Sequence, residues 1–159
     1  MLELLHIDKT YNPGTVNELC FFKDFNLKIN TGEFVSVVGS NGSGKTSMLN
    51  IICGSMDIDG GRVVMNDADI SKQKDFLRHR RIGRVFQDPS KGTCPEMTIM
   101  ENMSLAENKG HPYNLSRGAA KMRRDYFRSL LAPLELGLED KMDIKVGTLS
   151  GGQRQSLAL

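Results

Sequence analysis

The 159-residue sequence predicts an α/β protein whose first part is rich in strands and whose second part is mostly helical. Three observations lead to this prediction. The opening third contains short, partly alternating apolar segments, which are typical of strands. A β-branched segment is then followed by a glycine-rich loop and a helical pattern. This order is typical of a buried parallel strand that leads into a helix. Beyond residue 87, apolar residues recur at helical spacing.

Short apolar segments bounded by turn residues predict five strands, over 2–9, 22–29, 34–38, 62–65 and 82–86. Asn12-Pro13-Gly14 predicts a turn after the first strand, and Thr31-Gly32 interrupts the chain before the third. The third strand is nearly all apolar, so we expect it to be buried on both faces of a parallel sheet.

Helical spacing predicts a first helix over 45–53 that ends at Gly54. Thr98 and Glu101 have the spacing of a capping box and predict the start of a second helix. Ser116 is a candidate cap for a third helix, which Pro133 and Gly137 end. The apolar stripe of that third helix, interpreted as core, comprises Met122, Tyr126, Phe127, Leu130 and Leu131. A last helix is predicted to begin near Ser150.

Composition places the chain among soluble globular proteins, since 25% of its residues are charged and 39% are hydrophobic. The net charge of +2 gives no reason to expect a nucleic-acid or membrane-surface partner. Basic residues cluster in two places, which we interpret as solvated helix faces: Arg78, Arg80 and Arg81, and then Lys121, Arg123 and Arg124.

The three cysteines, Cys20, Cys53 and Cys94, lie far apart without CxxC spacing. This pattern favours free thiols in a reducing cytosol over a zinc site or a redox motif. The N-terminus lacks the pattern of a secretory signal, and no apolar run is long enough to cross a bilayer. If the protein acts at a membrane, we therefore expect another chain to supply the span.

One segment fits the GxxxxGK[ST] pattern at every defined position: Gly39, Ser40, Asn41, Gly42, Ser43, Gly44, Lys45 and Thr46. Its glycines let backbone N–H groups turn inward around an anion, and the helix N-terminus adds further donors. Lys45 can reach the β- and γ-phosphates, Thr46 can bind Mg²⁺, and Ser47 supplies a second hydroxyl. The alternative is a glycine-rich turn without a ligand, which has no need of a lysine followed by a hydroxyl. The segment predicts nucleotide binding.

A second motif, Leu149-Ser150-Gly151-Gly152-Gln153, has the form of another phosphate-binding helix start. Ser150 is a suitable N-cap, and the paired glycines expose N–H groups to an anion. The alternative is an ordinary capped helix. With the phosphate loop upstream, this LSGGQ segment resembles the signature of ATP-binding cassette (ABC) ATPases, and the whole chain resembles that family.

Smaller features fall in the family's order. Tyr11 lies where ABC ATPases carry an aromatic residue that stacks on adenine, and Gln87 lies at the Q-loop position, which contacts Mg²⁺ and the attacking water. The resemblance implies a P-loop NTPase core with an N-terminal antiparallel β subdomain and a helical insert, without the C-terminal strands. Residues 1–87 would form the β-rich lobe, 88–148 the helical subdomain, and 149–159 the signature and following helix.

The resemblance also implies a mechanism. Two such domains would pair head to tail and hold ATP and Mg²⁺ between the P-loop of one and the signature of the other. Ser150, Gly151, Gly152 and Gln153 would thus act in trans. The implied partners are this second ABC domain, a transmembrane permease subunit and a substrate-binding protein, with no nucleic acid. The protein would lie at the cytoplasmic face of a membrane, bound peripherally through the permease.

The kind of ABC protein is inferred from the remaining segments. The interval from Lys45 to Ser150 has no sustained heptads and no cysteine cluster, which disfavours members that act in DNA repair or chromosome structure. Residues 92–99 with Glu101-Asn102 resemble bacterial importers, including amino-acid uptake systems, and 143–148 lack the Glu-Arg-Gly stretch of exporters. A soluble ABC ATPase, such as a translation-type member, and a truncated remnant without turnover stay as alternatives.

We predict negligible ATPase activity and ready aggregation for the 159-residue polypeptide. In the family the signature is followed by a strand ending in Asp-Glu, then a D-loop and a switch histidine, and this sequence holds none of them after Gln153. Hydrolysis would lack the group that polarises water, and apolar faces of the central sheet would stay open. A phosphate-release assay checks the first half. Steady release that disappears in Lys45→Ala would contradict it.

Overall fold

The computed structural model describes residues 1–111 and 123–159. The chain forms two compact units, Met1–Gly83 and Arg84–Leu159, and each has its own hydrophobic core. Within the described ranges, no helix combines the length and apolar character that crossing a membrane requires. The predicted boundaries at 87/88 and 148/149 stay predictions.

The first unit is built on a four-stranded antiparallel sheet in the order β2-β1-β3-β4. The strands are β1 (Leu2–Tyr11), β2 (Leu19–Ile29), β3 (Gly60–Met65) and β4 (Ala68–Asp69). The predicted strands 2–9, 22–29 and 62–65 are confirmed. Strand β4 was not predicted, because two residues leave no alternating pattern to detect.

Strand β1 pairs irregularly with both of its neighbours. His6 and Asp24 have left-handed backbones, with φ of 53° and 52°, and the His6 ring nitrogen lies 2.5 Å from the Asp24 carboxylate. This hydrogen bond lowers the pKa of Asp24. On the β3 side, Gly61 has a φ of 87°, and a side chain there would collide with the backbone carbonyl of His6. Backbone geometry alone requires glycine at position 61.

Helix α1 (Lys45–Cys53) covers the sheet of the first unit. Its bounds are those predicted, and the helix ends at Gly54, whose φ of 81° matches a left-handed C-terminal cap. The buried residues of this core come from both layers: Leu4, Ile7, Met48, Ile51, Ile52, Val63 and Ile70. The core therefore fixes the helix that follows the glycine-rich loop.

The predicted strands 34–38 and 82–86 are wrong, because neither segment is a strand in the structure. Phe34 is 94% exposed and Val38 is 88% exposed, instead of being buried on two sheet faces. A buried parallel strand depends on ladder partners on both sides. In the described residues the sheet consists of β1 to β4, which are paired with one another.

The first predicted basic cluster lies at and just after the end of helix α2 (Asp75–Arg78). Arg80 and Arg81 are exposed, as a solvated face requires. Arg78 is only 5% exposed, so its assignment to a solvated face is wrong. A run of basic residues in a sequence suggests a solvent-facing surface. The long side chain and planar guanidinium of arginine can, however, also reach backbone carbonyls inside the protein.

The second unit is mainly helical, with α3 (Ile99–Glu107), α4 (Arg124–Leu131) and α5 (Gly151–Leu157). The capping box of Thr98 and Glu101 is confirmed. Ser116 and Met122, predicted for the third helix, lie outside the described residues. The buried core of the unit consists of Ile99, Met100, Phe127, Leu131, Leu138, Met142, Val146 and Leu149.

Three ion pairs join helix α4 to its surroundings: Arg123 with Glu107, Arg124 with Asp143, and Arg128 with Asp140. Arg123 and Arg124 belong to the second predicted basic cluster, whose other member, Lys121, lies outside the described residues. The three pairs are solvent-accessible, so each contributes little to stability. These arginines have carboxylate partners within the unit.

Two adjacent residues of α4 test the core of the second unit. Phe127 is 2% exposed, as a core residue should be. Tyr126 is 48% exposed and Leu130 is 49% exposed, so the assignment of these two residues to the core is wrong. We expect Phe127→Ala to lower the free energy of unfolding by about 3–5 kcal/mol, because it leaves a cavity. Tyr126→Ala should cost less than about 1 kcal/mol. Urea unfolding followed by circular dichroism measures both, and equal losses would contradict the assignment of Phe127 to the core.

Candidate functional site

The glycine-rich loop is held in shape by the lysine that follows it. The Lys45 ammonium donates to the carbonyl oxygens of Gly39 and Ser40, both at 2.7 Å, and to the Ser43 hydroxyl at 3.3 Å. The Ser43 amide also donates to the Ser40 carbonyl at 3.3 Å. The loop thus curls around the end of the Lys45 side chain.

The first turn of α1 offers backbone donors to an anion. Gly44 precedes the helix with a φ of 87° and has no side chain to cap it, and the first turn contains no acidic residue. The first amide donors of a helix have no partner within the helix and carry partial positive charge. A phosphate group is a suitable partner for this combination.

Phe21 and Phe22 of β2 line the loop where it meets the helix. A side chain placed on Gly44 would lie 3.1 Å from the Phe22 ring and 3.5 Å from the Phe21 ring. Gly44 is buried, and its left-handed backbone together with the close Phe22 ring favours glycine there. Neither aromatic residue was predicted to lie at this site. Strand β2 is brought to the loop by its pairing with β1, and that pairing joins residues that are distant in the sequence.

The hydroxyls expected to serve the metal and phosphates differ in exposure. Thr46 is exposed and Ser47 is half-buried. Asn41, Gly42 and Ser43 are also exposed. Their proposed roles remain predictions, and the exposure leaves the outer side of the loop open to a ligand.

Tyr11 stands at the end of β1 among other aromatic and polar groups. Its ring meets Phe21 edge to face at 5.0 Å, and its hydroxyl donates to the Met56 sulfur at 2.9 Å. The Lys9 ammonium lies 5.8 Å from the centre of the ring. The role of Tyr11 in stacking on adenine remains a prediction. The loop, the two phenylalanines and Tyr11 all belong to the first unit.

Gln87 belongs to the second unit and is exposed. The next residue, Asp88, accepts a hydrogen bond from the Ser90 amide and caps the 3₁₀ turn Pro89–Lys91. This hydrogen bond lowers the pKa of Asp88. The segment after Gln87 is thereby ordered by local hydrogen bonds.

Ser150 caps the start of helix α5, as predicted, and Gln153 completes a capping box that was not predicted. The Ser150 hydroxyl accepts from the Gln153 amide, and the Gln153 side chain accepts from the Ser150 amide, both at 3.3 Å. Gly151 and Gly152 are exposed, and a Cβ atom added to either would meet nothing within 4 Å. The start of α5 is an open, capped helix end.

Two contacts connect the segments on either side of Gln87 with those on either side of the signature inside the second unit. Residues 95–100 pair antiparallel with 142–147 through four backbone hydrogen bonds of 2.8–3.1 Å. In addition, the Gln155 side chain of α5 donates to the Phe86 carbonyl at 3.4 Å. Neither contact was predicted, because both join residues far apart in the sequence.

A curled glycine-rich loop, its lysine and an uncapped helix start together define a P-loop protein. A family model described as ABC transporter matches residues 22–159. The chain belongs to the ABC transporter family, as its resemblance predicted, and the predicted α/β class is confirmed.

Similar proteins include ATP-binding proteins named for transport. The chain is 43% identical over its whole length to the tyrosine transport ATP-binding protein of Clostridioides difficile. It is 32% identical over its whole length to the phosphonates import ATP-binding protein PhnC of Lactococcus lactis. In both cases it spans 63% of the relative's length.

Among solved structures, the chain resembles the ATP-binding cassette MJ0796, described as dimeric and bound to ADP and Pi in a post-hydrolysis state. The TM-score is 0.80 and the sequences are 33% identical. The match covers 99% of this chain and 67% of the cassette. This similarity supports the ABC cassette fold.

Proposed function

We propose that this chain is the nucleotide-binding part of the ATPase subunit of a membrane transporter that imports a solute. The observation that carries the proposal is the loop closed around Lys45 at the uncapped start of α1. Transport would be driven by closing on ATP and reopening after hydrolysis. We propose ATP hydrolysis for a protein in which the signature is followed by residues equivalent to those of its relatives.

Lys45 would have two roles in phosphate binding. In the present geometry its ammonium is bonded to two carbonyl oxygens of the loop, which keeps the loop curled. When a phosphate occupies the loop, the ammonium would turn toward the phosphate oxygens, which are stronger acceptors because they are charged. The first-turn amides of α1 would hold the same phosphate.

Thr46 and Gln87 are the proposed metal ligands. The Thr46 hydroxyl is exposed beside the loop, and hydroxyl and amide oxygens are the kind of ligands that Mg²⁺ accepts. Bound Mg²⁺ would neutralise part of the phosphate charge. Tyr11 would contribute the aromatic face for the base.

The signature would act on a nucleotide held by a second ABC domain in a head-to-tail dimer. Ser150 and Gln153 fix the start of α5, and the exposed amides of Gly151 and Gly152 are available to a γ-phosphate. The dimeric description of the similar MJ0796 cassette supports this arrangement. The contacts between 95–100 and 142–147 would transmit movement at Gln87 to the signature.

The proposed substrate is an amino acid. Support comes from the relative named for tyrosine transport, which is 43% identical to this chain. The proposed partners are a transmembrane permease subunit and a substrate-binding protein, and the protein would lie at the cytoplasmic face of the membrane. Specificity for the solute would reside in those partners.

Nucleotide binding is tested with the purified chain by titration with Mg-ATP. We expect Lys45→Ala to raise the Kd about thirtyfold or more, because a charge-assisted hydrogen bond to phosphate is lost. Lys72→Ala is the matched control, since Lys72 is exposed in the same unit. The absence of binding to the unaltered chain, or equal Kd values for the unaltered and Lys45→Ala chains, would refute the proposal.

Import is tested in cells that lack the complete gene, by measuring uptake of labelled tyrosine. We expect uptake to fall in these cells. The complete gene and its Lys72→Ala variant should restore uptake. The Gly151→Asp variant should not restore it, because a carboxylate at the signature repels phosphate. Unchanged tyrosine uptake with reduced uptake of a solute that is not an amino acid would overturn the proposed substrate alone. Unchanged uptake of every solute tested would overturn import.

A further inference from the structure

Arg78 is a buried charged residue in the first unit. It lies at the end of α2, with 5% of its surface exposed. Burial lowers the pKa of its guanidinium, yet arginine keeps its proton in proteins. A buried cation is costly unless its donors are bonded.

All of the hydrogen-bond acceptors that the structure gives Arg78 are backbone carbonyls. One terminal nitrogen donates to Ile51 at 2.7 Å and to Ile52 at 3.3 Å, both in the last turn of α1. The other terminal nitrogen donates to Ser71 at 2.8 Å, and Nε donates to Gln73 at 3.0 Å. One side chain thus joins the end of α1 to the segment after β4.

Charge and space at the end of α1 both match this arrangement. The last carbonyls of a helix lack partners within it and carry partial negative charge, which a cation stabilises. Gly54, directly after the helix, provides the room: a side chain there would lie 2.8 Å from the Arg78 Nε. The guanidinium therefore occupies the volume that a side chain at position 54 would need.

The opposite end of the same helix begins with Lys45 and the phosphate loop. A nine-residue helix is about 13 Å long and behaves as a short rigid rod. Its buried side chains, including Met48 and Ile51, restrain it sideways against the sheet. Apolar contacts have little directionality, so hydrogen bonds at the end of the helix are better suited to fixing its position along its axis.

We propose that Arg78 is a positioning residue for the phosphate loop, which it acts on by fixing the far end of helix α1 to the segment 71–73. This inference rests on the proposed nucleotide binding. It adds a residue outside the GxxxxGK[ST] segment that sets how well that segment holds a triphosphate. Lysine cannot replace Arg78, because a single ammonium cannot reach carbonyls on both sides of the planar guanidinium.

The test compares Arg78→Lys and Arg78→Met with Arg80→Met, an exposed arginine two residues away. Hydrogen exchange is measured in the ligand-free chain, well below the unfolding temperature of each variant, together with the Kd for Mg-ATP. We expect both Arg78 variants to exchange faster over residues 39–53 and to bind Mg-ATP about tenfold more weakly. Exchange in β1 and β2 should stay unchanged, and Arg80→Met should behave like the unaltered chain.

A general loss of stability would instead speed exchange across the sheet as well as in α1, and that result would overturn the proposal. So would unchanged exchange over 39–53, an unchanged Kd, or failure of both Arg78 variants to fold. If the unaltered chain does not bind Mg-ATP, the proposed function fails, and the positioning of the loop for nucleotide fails with it. Binding by the unaltered chain with an unchanged Kd in Arg78→Lys would overturn the Arg78 inference alone.

Discussion

The left-handed backbone of Gly44 is the constraint on which the first unit depends. It turns the chain from the curled loop into α1 in one residue, under the ring of Phe22. Because the turn is completed there, the helix can start at Lys45 and place Met48 and Ile51 in the core. Gly44 thus ends the loop and leads directly into the helix that packs in the core.

The sequence correctly predicts the elements that depend on residues close together in the chain. Helix α1 has the expected bounds because its periodicity and the glycines at both ends act within a few residues. The capping box at Thr98 and the N-cap at Ser150 are similarly local. The segment 34–38 was misjudged because a strand exists only when distant segments pair with it. The burial of Arg78 was missed for a related reason, since its carbonyl partners at Ile51 and Ile52 lie far back in the chain.

In the second unit, backbone hydrogen bonds join the segment that follows Gln87 to the segment that precedes the signature. Residues 95–100 and 142–147 pair directly, and Gly147 lets the two segments approach, because a side chain there would lie 3.0 Å from the Pro95 carbonyl. The chain enters the signature immediately after this pairing. In the proposed mechanism, a shift in the segment that follows Gln87 would act on the start of α5 through these main-chain hydrogen bonds, which are insensitive to the identity of most side chains.

The close approach of β3 to β1 has a consequence for mutational tolerance. Gly61 is exposed, and exposed positions generally accept substitution. At this position the neighbouring strand occupies the volume of any Cβ atom, so every replacement, from alanine upward, must push two strands apart. Among variants of this protein, position 61 would be as restricted as a core residue, although solvent exposure alone would class it with the freely variable surface.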